Sequence, residues 1–160
     1  MWEGRYIKAQ RRGRWEFVGR TRGIHAAVIL AEVDGRVLLV EQYRVPLGRV
    51  CIELPAGLIG DDSAGEAVES AAARELEEET GYRAARIEII GDFYASPGMM
   101  SECFTLVRAH ELEKVGPGGG VAGEGITVHQ VPRGDIGAFL AGQRARGLAI
   151  DVKMLALLSF

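Results

Sequence analysis

Residues 72–82, "AARELEEETGY", put four glutamates between positions 75 and 79 in a window whose composition otherwise favours a helix. Like charges three and four residues apart repel along a helix face, so the pattern asks for a compensating partner. On a helix, Glu75, Glu78 and Glu79 share one face and Glu77 points away. Val68, Ala72, Ala73 and Leu76 fall on the other side, where small and branched side chains pack closely against a sheet. The spacing predicts a helix over Val68–Thr80, stopped by Gly81 where a left-handed C-cap is easy. Three carboxylates on one face make an oxygen-rich pocket of the kind that takes Mg²⁺ or Mn²⁺, hard cations whose charge removes the repulsion. Arg74, four residues before Glu78, is placed to hold that carboxylate.

Working outward, "WEFVGR" (Trp15–Arg20), "HAAVILAEV" (His25–Val33) and "RVLLVEQYR" (Arg36–Arg44) read as strands, the last two joined by an Asp-Gly hairpin turn. "RVCIEL" is a short strand stopped by Pro55, and "PAGLIGDDSAG" reads as a loop. After the acidic helix, "ARIEIIGDFYA" and "ECFTLVRAHEL" return to strand patterning, "EKVGPGGGVAGEG" is a glycine-rich loop expected to be flexible, and "ITVHQVP" is a last strand. "GDIGAFLAGQRAR" and "DVKMLALLSF" are predicted as closing helices, the second started by Asp151 as N-cap. Mixed strands with a helix inserted between sheet segments predict an α+β sandwich.

The 160 residues, 48% apolar, suit one domain spanning 1–160, with a strand segment at about 1–20 that the core does not obviously need. A net charge of −3 argues against a nucleic-acid backbone or an anionic membrane as partner. No apolar run reaches the roughly 20 residues of a bilayer span, and a cytoplasmic location is expected. Cys51 and Cys103 sit in apolar runs without metal-ligand spacing and are read as buried, reduced thiols. His25, His110 and His129 fall in strands and are read as structural or surface groups, and Arg11–Arg14 as a solvated turn.

"GDDSAGEAVESAAARELEEETGY", residues 60–82, carries Gly60, Glu66, Arg74, Glu75, Leu76, Glu78, Glu79, Gly81 and Tyr82 at the spacing of the Nudix box, G-x5-E-x7-R-E-U-x-E-E-x-G-U with U apolar. The chain resembles the Nudix hydrolases. Gly57 is an alternative to Gly60 for the first box position. The resemblance implies the Nudix fold, an α/β/α sandwich with a mixed sheet and the box helix. It also implies cation-assisted attack of water on a nucleoside diphosphate linked to another moiety, chemistry that is mostly positioning and electrostatics. By the same match Glu75 and Glu79 are the principal metal ligands, Glu78 is a further ligand or catalytic carboxylate, the Ala56 carbonyl is a backbone ligand, and Glu66 is a supporting acid.

"VEQYRVPL", "ELPAGLI" and "YASPGMMSE" are similar to segments of the ADP-ribose and GDP-mannose pyrophosphatases, which points to a nucleoside diphosphate sugar as substrate. That likeness implies substrate contacts from Arg44, Glu53, Ser96 and Glu102. It implies a late-loop acid, Glu124, as general base or metal ligand, and a homodimer to which the N-terminal strands contribute. Trp15 and Phe17 are candidates for stacking on a base, or for core or interface positions.

Overall fold

The computed structural model describes residues 1–21, 24–60 and 65–158. The stretch Asp61–Ala64, which follows Gly60 in the box, and the final residues of the expected closing helix lie outside the described residues.

Among the described residues the strands and α-helices follow in order: β1 (Trp2–Glu3), β2 (Ile7–Arg12), β3 (Trp15–Arg20), β4 (His25–Val33), β5 (Arg36–Arg44), β6 (Arg49–Glu53), β7 (Ala56–Ile59), α1 (Val68–Thr80), β8 (Tyr82–Tyr94), β9 (Cys103–Lys114), β10 (Thr127–Pro132), α2 (Ile136–Ala145) and β11 (Ala149–Ile150). The larger sheet runs β11-β6-β5-β4-β9-β8, with β7 added on β4 and β10 on β5. The β4–β9 and β6–β11 pairs are parallel and the other named pairs antiparallel, so the sheet is mixed as expected. The predicted Asp34-Gly35 turn joins β4 to β5 with both residues at positive φ, 49° and 71°, which matches the twist of a tight hairpin.

Strand alternation makes the two faces. Ala27, Ile29 and Ala31 of β4, with Leu38 of β5 and Val107 of β9, pack on Ala71, Ala72 and Leu76 of α1. Val28, Leu30, Val37, Leu39 and Leu106 point to the other side, against Ile136, Met154 and Leu157. Helical layers thus cover the sheet on both faces, the α/β/α sandwich the sequence implied. Leu76 is fully buried, and truncating it to alanine would cost about 2–5 kcal/mol.

Four expectations are corrected. Residues Ala56–Ile59, read as loop, form β7, because the edge of β4 at His25–Val28 offers them a ladder that outweighs the local Pro-Ala-Gly signal. The closing segment Val152–Leu158 is 3₁₀ rather than α, although Asp151 starts it as expected, with its Oδ1 accepting the Lys153 N–H at 2.7 Å. Cys103 is half-buried at the start of β9, while Cys51 is buried, and burial pushes its thiol up to about 12. The buried alanine beside Ala72 is Ala71 rather than Ala73, which is half-buried: the buried positions Ala71, Ala72, Leu76, Glu79 and Thr80 recur at the three- and four-residue spacing of one helix face.

The N-terminal strands β1, β2 and β3 form a sheet of their own; β1 and β2 were missed in the sequence. It meets the rest where Val18 of β3 donates to the Met99 carbonyl and accepts from Ser101 N–H. Trp2, Ile7 and Trp15 are exposed on it.

Candidate active site

The acidic face of α1 opens onto a cleft of about 610 Å³. Glu75, Glu78 and Glu79 line it together with Glu124 of the late loop, Arg44 of β5, Glu53 of β6, Ala56 and Gly57 of β7, and Glu102. Of the residues that the sequence singled out as ligands, supporting acids or contacts, Ser96, Glu66, Trp15 and Phe17 do not line it. The Ser96 side chain does not take part in the cleft, and its carbonyl accepts the N–H groups of Met99 and Met100 in a turn.

Glu79 is 6% exposed and its Oε2 accepts the Ala56 N–H at 3.0 Å. Burial, with the charges of Glu75 and Glu124 adding to it against that hydrogen bond, pushes the Glu79 carboxyl up to about 8. Burial also raises Glu75 above the ordinary carboxylate range, offset in part by Arg74, whose Nη1 donates to Glu75 Oε1 at 2.9 Å. Arg74 was expected to hold Glu78; it serves Glu75 first and stands 3.5 Å from both Glu78 Oε2 and Glu66 Oε1. Glu77 points away, as predicted, and takes a two-pronged bond from Arg83 at 2.8 Å.

At Gly57 the β7 backbone lies against the Glu75 side chain: a Cβ there would lie 1.9 Å from Glu75 Cγ and Cδ. That contact gives Gly57 a role at the carboxylates. Gly60 has φ of 79°, a backbone reason of its own to be glycine.

Arg44 is not a free fork. Its Nε and Nη2 donate to the two oxygens of Glu53 at 2.5 and 3.0 Å, and Glu53 is buried. Glu102 is likewise engaged, by Arg20 of β3. Arg20 and Lys153 were missed in the sequence, yet both line the cleft. Lys153 is held by Asp151 and stands 5.8 Å from the Phe104 ring centre. Neither has a local signature, because the β3 docking and the closing 3₁₀ segment bring them in. Trp15 and Phe17 lie outside the cleft and line a separate depression with Pro97 and Gly98. His110 and His129 pair with Glu88 and Glu41 at 2.6 and 2.9 Å, in keeping with structural roles.

The glycine-rich loop is pinned rather than loose at its start. Gly119 and Gly120 donate their N–H groups to the carbonyls of Glu79 and Glu78 at 2.8 and 3.0 Å. Glu124 Oε2 accepts the Val121 N–H at 2.9 Å. The donors available for an ion are all oxygens, the set a hard divalent cation takes, and the like charges of half-buried Glu75 and exposed Glu124 beside buried Glu79 favour such an ion. Among the described residues no three acidic, histidine or cysteine side chains stand close enough to enclose an ion as they are. Glu75, Glu79 and Glu124 are each turned to the protein partners just named.

A box helix inserted between strands of a mixed sheet, with its carboxylates open to one cleft, defines a Nudix-type sandwich. The chain belongs to the Nudix family, whose NUDIX domain matches residues 21–140. It is 44% identical over 88 residues to the ADP-ribose pyrophosphatase of Bacillus subtilis (54% of this chain, 46% of that one). Against the ADP-sugar pyrophosphatase of Mus musculus it is 38% identical over 130 residues (75% and 56%). Against the GDP-mannose pyrophosphatase of Yersinia pestis it is 32% identical over 148 residues (87% and 71%). The chain thus spans about half the length of the first two. A solved structure described as an ADP compounds hydrolase superposes with a TM-score of 0.68 over 95% of this chain and 89% of that one, at 22% identity, a likeness of fold. No helix among the described residues is long and apolar enough to cross a membrane.

Proposed function

We propose that this chain hydrolyses the diphosphate bond of ADP-ribose or a similar nucleoside diphosphate sugar, releasing a nucleoside monophosphate and a sugar phosphate. The observation that carries the reading is one cleft lined both by Glu75, Glu78, Glu79 and Glu124 and by Arg20, Arg44 and Lys153. The relatives named as ADP-ribose and ADP-sugar pyrophosphatases support the substrate class.

Glu75, Glu79 and the Ala56 carbonyl would hold Mg²⁺, with Glu78 and Glu124 as further ligands; Mn²⁺ satisfies the same oxygen set. The cation, when bound, supplies neutralisation of charge on the diphosphate and lowers the pKa of water. The chain's own residues do the rest. Arg74 keeps the Glu75 carboxylate oriented, and the Ala56 N–H does so for Glu79. Glu124, released from the Val121 N–H, can accept the proton of the attacking water as general base, with Glu78 the alternative acceptor. Arg44, fixed by Glu53, presents charge toward a diphosphate rather than a free fork. Glu102 and Arg20 form one pair at the rim, where a sugar hydroxyl can meet both a donor and an acceptor.

A GDP-mannose preference is the second reading, favoured by the match to the Yersinia pestis protein over 87% of this chain. A chain that binds such nucleotides without turning them over is a third, and a cluster of carboxylates lining one cleft is more than binding alone requires. A homodimer fits the N-terminal sheet, where exposed Trp2 and Ile7 share one face that a second copy can cover.

Incubation of the protein with Mg²⁺ and ADP-ribose, GDP-mannose and related nucleotide sugars, with product identification, tests the proposal. Nucleoside monophosphate plus sugar phosphate from one of them is expected. No cleavage of any, with binding retained, would leave the binding-only reading.

A further inference from the structure

The last four carbonyls of a helix have no partner within it and must find one elsewhere. In α1 the Glu77 carbonyl takes the Gly81 N–H at 2.8 Å, an ordinary C-cap. The other three are all satisfied by one distant segment. Glu78 accepts from Gly120 N–H, Glu79 from Gly119 N–H, and Thr80 from the Lys114 ammonium at 2.8 Å. The Gly81 carbonyl, just beyond, takes the N–H groups of Val115 and Gly116.

This contact leaves no room for side chains. A Cβ at Gly118, where φ is 70°, would lie 2.4 Å from the Thr80 carbonyl carbon, and one at Gly81 would lie 2.2 Å from the Gly116 carbonyl oxygen. Lys114 sits over the Tyr82 ring, 4.6 Å from its centre, and its ammonium reaches the Pro117 carbonyl at 3.5 Å as well as Thr80. A cation at a helix C-terminus is favoured by the helix dipole, so the lysine is electrostatically suited to the place.

We infer that Lys114 is a positioning residue: it clamps the segment Lys114–Gly120 onto the end of α1 and so sets Glu124 in register with the carboxylates of Glu75, Glu78 and Glu79. The inference rests on the proposed role of Glu124 for its effect on rate, though the clamp itself stands on geometry alone. Glu124 lies four residues beyond Gly120, and the turn between is closed by the Glu124 N–H donating to the Val121 carbonyl at 3.1 Å. Displacement at Gly119 and Gly120 is therefore passed directly to the acid.

The test compares Lys114→Met, which keeps the stem over Tyr82 and removes the ammonium, with Lys114→Arg, using amide hydrogen exchange and steady-state kinetics with ADP-ribose and Mg²⁺. The Gly119 and Gly120 amides of Lys114→Met are expected to exchange on the order of tenfold faster. Its kcat is expected to fall on the order of tenfold with KM little changed, and Lys114→Arg to recover much of both. In a Glu124→Gln background Lys114→Met should lower kcat no further. Unchanged exchange at both amides overturns the clamp. A Lys114→Met loss that multiplies with that of Glu124→Gln overturns positioning through Glu124. If Glu124→Gln turns over like the parent, the role proposed for that acid fails, and the exchange data still decide the clamp. Should Lys114→Met not fold, Lys114→Gln, which also removes the ammonium, is held to the same two outcomes.

Discussion

Glu79 Oε2 accepts the backbone N–H of Ala56 at 3.0 Å, so the most buried carboxylate of the box helix is fastened to the first residue of β7. One hydrogen bond therefore joins the two groups expected to share a cation, a side chain from one element and a main chain from another. Because Glu79 is buried against like charges, a neutral isostere there should be tolerated by the fold and not by the chemistry. Glu79→Gln is expected to retain its near-native circular dichroism and lose at least about 100-fold in Mg²⁺-dependent kcat. Full turnover at saturating Mg²⁺ would remove Glu79 from the ligand set.

The same burial makes a prediction about pH. The Glu79 carboxyl is raised to about 8 in the fold, so the stability it contributes is present below the ordinary carboxylate range and is lost as pH rises toward 8. The cation-free protein should therefore melt at progressively lower temperature between about pH 5 and pH 8. Added Mg²⁺ should raise the melting temperature more at pH 8 than at pH 6, since the ion favours the charged form. In Glu79→Gln both dependences should flatten. A calorimetric series with and without EDTA reads all three.

Gly57→Ala adds one methyl group, and its place is 1.9 Å from Glu75 Cγ and Cδ. The end of a glutamate can swing aside, so the fold should survive while the carboxylate moves. Misplacing a reacting group by about 1 Å costs on the order of 100-fold in rate, and a kcat loss of that scale is expected with little change in melting temperature. Wild-type kinetics would show that Glu75 works from another rotamer.

Glu124→Gln should lower kcat by about two orders of magnitude or more with KM little changed, whereas the same change at exposed Glu113 should do nothing. The Mg²⁺ dependence separates the two roles open to Glu124. A lost ligand is partly rescued by more metal, and a lost base is not.

Light scattering at working concentrations should give the mass of two chains, and removal of residues before Gly19 should give one. Val18 ties β3 to Met99 and Ser101, and Arg20 of the same strand lines the cleft, so that truncation is also expected to raise KM. A monomer mass for the full chain would overturn the homodimer.

The box helix was legible because helical periodicity and charge spacing are local: Glu75, Glu78 and Glu79 fall on one cleft and Glu77 elsewhere. The β4–β5 hairpin was legible through Asp34-Gly35. What local pattern hid was decided by partners far along the chain. β7 exists because β4 offers an edge, and Pro55 and Gly57 made the segment read as loop. Arg20 and Lys153 reach the cleft from opposite ends of the chain, and the carboxylates that occupy Arg44 and Arg20 could be paired with them only in three dimensions. Glycine content suggested mobility in the late loop, whereas those same glycines permit the backbone to lie against α1.

The parallel pairing of β4 with β9 has a consequence for how the chain reaches its native state. Ala26 lies beside Phe104, and β5, β6, β7, α1 and β8 all intervene between them. Contacts that close such long intervals are formed at the expense of much chain entropy and slow a folding reaction, while the β8–β9 antiparallel pair next to α1 is comparatively local. Refolding should thus be governed by the docking of β4 into the gap between β9 and β7. Substitutions at Ala27 or Ile29 would then slow refolding, and those on the outer strand β8 would chiefly speed unfolding.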